Sequence, residues 1–157
     1  MTILSALRSM VRRSSIDDRE AFAVLSPEEI PMCTVDELLI MDKIQSSKSK
    51  KDQFLMFCTI NKLDQHMALY DEIERYKKAD ISHKKYISYT INDLFLRERA
   101  TFRVSLDLDT NLLYRIDRAT RHEQIPIDEL AIVENLNIKR ICHIYQKFEK
   151  TPMHKRW

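Results

Sequence analysis

The side chains able to do chemistry in this chain are five histidines, three cysteines and a few clustered carboxylates. His66, His83, His122, His143 and His154 form no His-Glu-x-x-His motif and no paired metal-binding spacing. Asp80 and His83 stand three residues apart, which is half of the carboxylate–histidine motif of a di-metal bundle. The second motif and further glutamates that such a site needs are missing, so a solvated helix start is the simpler reading. Asp71, Glu72 and Glu74 could serve acid–base chemistry, yet on an amphipathic helix they are more simply its wet face. Cys58 could be drawn with a distant histidine as a nucleophile pair, but its neighbours Phe54, Met56 and Phe57 point to core packing. Cys33, Cys58 and Cys142 are odd in number, far apart and without a Cys-x-x-Cys pair, as expected of reduced thiols in a cytosolic protein. These residues describe a binding module rather than an enzyme, with no catalytic group, cofactor or metal.

Glycine sharpens that reading. The 157 residues include none, against an average usage of ~7%. Glycine supplies the positive φ of tight hairpins and lets backbone approach phosphate closely. Without it a P-loop, a dinucleotide fingerprint and a nucleophile elbow of the usual form are excluded. A sheet rich in tight hairpins is disfavoured too, which leaves a helical chain whose turns use Asn, Asp, Ser and Pro. Hydrophobic residues at 44% and charged residues at 32% suit one globular domain, and a net charge of +2 is too small to argue for nucleic acid. No secretory signal and no 18-residue apolar run is found, so a cytoplasmic location is expected.

The elements that must position any binding residues follow from periodicity. Residues 1–33 read as an amphipathic, basic extension. Ile3, Leu4, Leu7, Met10 and Val11 share a face beside Arg8, Arg12 and Arg13, a pattern that suits peripheral contact with an anionic membrane; a helix packed on the domain or a frayed terminus are the other readings. Arg12-Arg13-Ser14-Ser15 resembles a basophilic kinase site at Ser15, where phosphate would oppose membrane attraction. Ser26-Pro27-Glu28-Glu29 marks a helix start, and Thr34-Val35-Asp36-Glu37 reads as a capping box. Ser46 to Lys51 reads as a polar break. Helical faces follow at Phe54, Phe57 and Cys58, at Leu63, Met67, Tyr70 and Ile73, and, after a cap at Ser82, at Tyr86, Ile87, Tyr89, Leu94 and Phe95. Ala100 to Asp109 is extended or loop. Helices are predicted over Thr110–Ala119, Ile127–Leu136 and Ile138–Lys150. The expectation is an all-α bundle of about eight or nine helices over residues 34–151, with a short tail at 152–157.

One arrangement is more specific than periodicity. Phe54-x-x-Phe57, Leu69-Tyr70 and Ile73-Glu74-x-Tyr76-Lys77-Lys78 come first. Tyr86-Ile87-Ser88, Ala100-Thr101-x-x-Val104-x-Leu106-Asp107, Ile127-Asp128 and Tyr145-x-x-Phe148 follow in order. Together with Val35 to Leu39 they resemble the RGS family of G-protein signalling regulators. In that family the segment matched by Ala100 to Asp107 reads Ala-x-x-x-Val-Asn-Leu-Asp. Two intervals, Leu39–Phe54 and Ser88–Ala100, are longer than the family pattern and are expected to hold a loop insertion and an extended helix.

The resemblance implies an RGS-like bundle of about nine helices in two lobes, one of them spanning Leu63–Leu136. It implies a partner, the α subunit of a heterotrimeric G protein in its GTP-bound or transition-state form. It also carries contact residues onto this chain. Gln65-His66 stands where the family has Glu-Asn. An asparagine that steadies the catalytic glutamine of Gα aligns with Asp117. The family's aspartate in the penultimate helix aligns with His143, its arginine with Lys147, and a leucine contact falls near Lys139. Asp117 exchanges an amide for a carboxylate, and Lys147 forfeits the bidentate geometry of arginine. Two functions follow from different classes: a GTPase activator whose altered surface fits an altered Gα, or an RGS-homology adaptor that binds without accelerating hydrolysis. A third, an unrelated helical interaction or nucleic-acid module, has no motif of its own.

Overall fold

The computed structural model describes residues 32–122 and 124–154. The amphipathic segment 1–13, Ser15 and the helix start at Ser26-Pro27 lie outside the described residues. The described residues form six α-helices and one π-helical turn, and no strand occurs among them. The all-α expectation therefore holds.

Helix α1, Val35–Gln45, begins with the capping box expected from Thr34. The Thr34 hydroxyl accepts from the Glu37 N–H at 3.1 Å, and the Glu37 carboxylate accepts from the Thr34 N–H at 2.8 Å. Such a cap is worth about 1 kcal/mol. The predicted break at Ser46–Lys51 is shorter than expected. Ser47 accepts from the Lys50 N–H at 3.1 Å and starts helix α2, Lys48–Ile60, so its lysines form a first turn instead of a loop. A serine cap needs only one non-helical residue, and lysine is a good helix former. The extra length between Leu39 and Phe54 is thus helix, not a loop insertion.

The corner after α2 shows how a chain without glycine turns. Lys62 takes φ 59. Its N–H bonds to the Thr59 carbonyl at 3.1 Å, and the Leu63 N–H bonds to Cys58 at 2.8 Å. That is a Schellman close in which lysine occupies the left-handed position that glycine usually fills. Helix α3, Asp64–Lys78, follows. Asp80, not Ser82, caps helix α4, Ile81–Ile91, by accepting from the His83 N–H at 2.9 Å; Ser82 donates to the same carboxylate at 2.9 Å. Asp80 therefore keeps a carboxyl pKa lowered to about 2, chiefly through that backbone N–H. Helix α4 runs on into a π-helical turn, Asn92–Leu96, which takes up the second long interval as an extended helix. The Phe102 and Val104 N–H groups bond back to Leu94 and Phe95 at 2.8 and 3.0 Å, which ties down the connection to helix α5, Thr110–His122.

Helix α6, Ile127–Phe148, is a single element of 22 residues where two helices are predicted. Its length of ~33 Å lets it serve two hydrophobic clusters. Leu130, Ile132 and Val133 join Leu69, Ile73 and Tyr76 of α3, Ile87 and Ile91 of α4, and Leu112 and Ile116 of α5. Ile138, Ile141, Tyr145 and Phe148 join Met41 and Ile44 of α1, Phe54 and Cys58 of α2, and Met67 of α3. Met153 and Cys33 pack on the second cluster.

Several residues expected on buried faces are outside. Met56, Tyr86 and Tyr89 are more than half exposed, while Ser88 and Leu69 are fully buried. On α4 the inward positions are Ile87, Ser88 and Ile91, so Ile87 of the predicted face is buried and its two tyrosines are not.

Candidate functional site

The motif residues act as pins. The Tyr76 hydroxyl donates to the Ile125 carbonyl at 2.7 Å, and the Ser88 hydroxyl accepts from the Ile125 N–H at 3.0 Å. Both polar groups of one connector residue are thus satisfied inside the protein, which fixes where α6 starts. Phe54 and Phe57 meet Phe148 at ring-centroid distances of 5.4 and 5.3 Å, so the two aromatic motifs close on each other across α2 and α6.

The two clusters meet at Asn137, the position where a helix break was expected. Its side chain turns sideways instead of interrupting the helix. The Asn137 amide donates to the His66 carbonyl at 2.9 Å and accepts from the His66 ring at Nδ1 at 3.0 Å. The proton therefore sits on Nδ1. The other nitrogen, Nε2, has no hydrogen-bond partner, and the His66 side chain is 0% exposed. Burial, opposed in part by the Asn137 bond, lowers the His66 pKa, and the Arg140 charge lowers it further. His66 thus has no surface with which to touch a partner directly. It locks the first turn of α3, including its half-buried neighbour Gln65, to the middle of α6.

Immediately beyond this lock α6 borders a shallow groove of about 260 Å³, lined by Ser105, Leu106, Asp107, Leu136, Lys139, Arg140 and His143. The loop that carries Val104-x-Leu106-Asp107 thereby meets Lys139 and His143, two of the expected contact residues. Lys139 is already engaged: its ammonium donates to Glu37 at 3.0 Å. Burial pushes the Glu37 carboxyl upward, but the Thr34 N–H and Lys139 outweigh it and hold the group below its ordinary range. Lys147 lies one turn past His143, exposed on the same side of α6.

Asp117 is placed elsewhere. It accepts from the Asn92 amide at 2.9 Å and pairs with Arg121 at 2.8 Å, tying the π-helical turn to α5. It borders a separate cavity of about 520 Å³, with Arg97 and Arg103 on its walls. The residue that joins Lys139 and His143 from the loop is Ser105. Its signal lay in the sequence, because Val104-x-Leu106-Asp107 leaves Ser105 at the asparagine of the resembled motif. Arg140 and Asn137 carried no such signal.

No cysteine lines the groove. Burial pushes the Cys58 and Cys142 thiols up to about 12, so both stay protonated. No group of three or more His, Cys, Asp or Glu side chains is placed to hold a metal ion among the described residues. None of the described helices is long and apolar enough to cross a membrane. What the arrangement can do is present a rigid, mixed polar surface. Set against known proteins, the chain matches no family model and no curated protein.

Proposed function

We propose that this chain is a divergent RGS-type domain, a bundle of about nine helices in two lobes, that docks on an activated Gα subunit and accelerates its GTP hydrolysis. The observation that carries the reading is the groove in which Ser105 to Asp107 meet Lys139 and His143. Loop and helix positions carried over independently from the resemblance come together on one surface there. The division of apolar residues into two clusters bridged by α6 supports the two-lobed reading. Gα carries its own catalytic arginine and glutamine, so such a domain contributes only by holding the switch loops still, and it needs no phosphate-binding group. The docking surface is Gln65, Ser105, Lys139, His143 and Lys147, with His66 behind it.

Single-turnover GTP hydrolysis by a panel of Gα subunits tests this. Faster hydrolysis by at least one, and tighter binding to the aluminium fluoride form than to the GDP form, are expected. Equal binding to both forms with no change in rate would instead favour the adaptor reading, which the changed residues His66, His143 and Lys147 support. Ser105→Asn should raise the rate toward ordinary Gα partners, while Asp117→Asn should change it little. Peripheral membrane contact through residues 1–13, opposed by phosphate at Ser15, belongs to the same proposal. Deleting residues 1–13 should weaken binding to anionic vesicles, and unchanged binding would retire that part.

A further inference from the structure

Arg140, which is half-buried, and the exposed His143 and Lys147 follow one another at helical spacing along one side of α6. Lys139 is satisfied by Glu37, but no carboxylate lies within ion-pair distance of Arg140 or Lys147 among the described residues. The helix dipole accounts for Lys147 in the last turn. It does not account for Arg140, two turns further in. Beside the stripe the groove has an apolar floor, Leu106 and Leu136, and one acidic wall, Asp107.

We infer that this stripe selects among partners, and that it fits a protein face presenting carboxylates around an apolar side chain. The inference rests on the docking surface proposed above and adds the chemistry of the partner. The groove, at about 260 Å³, is too small and open for a typical enclosed small-molecule site, which runs to roughly 300–1,000 Å³. A nucleic acid or an anionic bilayer would press phosphates onto Asp107, and the chain's net charge of +2 does little to offset that. A protein face alternates sign over a few ångströms, so it can meet Arg140 and Lys147 with acids and leave Asp107 a donor. Rim charges of this kind act mainly on association rate and on partner choice.

The test uses the full chain and the Gα panel in the aluminium fluoride form, with binding followed at about 50 and 300 mM salt. The variants are the double reversal Arg140→Glu with Lys147→Glu and its neutral counterpart with glutamine at both positions. The expected result is a loss of about tenfold or more for the reversal, carried by slower association. The glutamine pair should fall between it and the unaltered chain, and the salt dependence should flatten in both. Circular dichroism should stay unchanged, since neither side chain is in the core. Undiminished Gα binding with an unchanged salt slope overturns this inference and leaves the docking reading standing. Failure of the unaltered chain to bind any Gα overturns both. Capture of phosphatidylserine vesicles or duplex DNA in preference to Gα, lost in the reversal, overturns it in favour of a polyanion.

Discussion

Phe148→Ala is expected to destabilise the domain by about 3–5 kcal/mol. The ring is 0% exposed and sits where α2, α6 and the C-terminal turn converge. It lies 5.4 Å from Phe54, 5.3 Å from Phe57 and 5.9 Å from Tyr145, and His154 stacks edge-on at 5.5 Å. Truncation removes the transfer free energy of the ring and leaves a cavity bounded by four other rings, which packed helices close only in part. Urea unfolding should show a lower midpoint with an unchanged slope. Phe148→Leu keeps most of the apolar volume and should lose markedly less. If the alanine variant unfolds within about 1 kcal/mol of the parent, the ring is not the centre of the cluster.

The second large effect is at Asn137. Asn137→Ala leaves the His66 Nδ1–H without a partner in a fully buried setting, and an orphaned buried group costs about 1–3 kcal/mol. A loss of roughly 1–3 kcal/mol is therefore expected. It should couple to changes at His66 in a double-mutant cycle, because each residue is the other's main partner. The same lock gives stability a pH dependence of defined sign. The folded His66 pKa is lowered, so the unfolded chain, titrating near ~6.5, takes up a proton that the folded chain refuses. Stability is complete above that pH, declines as pH falls below it and levels off once the lowered folded pKa is passed. His66→Asn keeps an N–H donor near the position of Nδ1 and cannot titrate, so it should flatten the decline below about pH 6.5. An unaltered slope in that variant would assign the acid sensitivity to other groups.

Much of the scaffold was legible because helix signals are local. The capping box at Thr34, the apolar stripe of α6 and the basic last turn of α3 each depend on residues within a turn or two. The pairing of Phe-x-x-Phe with Tyr-x-x-Phe was carried by resemblance, and its physical basis is one packed aromatic cluster. Errors gathered at polar residues. Asn137 read as a break, and Ser82 read as a cap beside the better-placed Asp80. Asp117, carried over by resemblance as a contact, also ties Asn92 to Arg121, which its place in the sequence does not reveal.

The sequence by itself determined that the chain is helical, that its turns would be made without glycine, and that Phe54, Tyr145 and Phe148 face the core. Periods of three and four residues and cap chemistry depend on near neighbours, so a linear reading reaches them. Only the tertiary structure decided which polar residues face inward and which charges share a surface. His66 and Asn137 are 71 positions apart in the chain, and no local pattern distinguishes a histidine that docks on a partner from one locked inside. The groove that joins Ser105 to His143 likewise exists only once Tyr76 and Ser88 have pinned the start of α6.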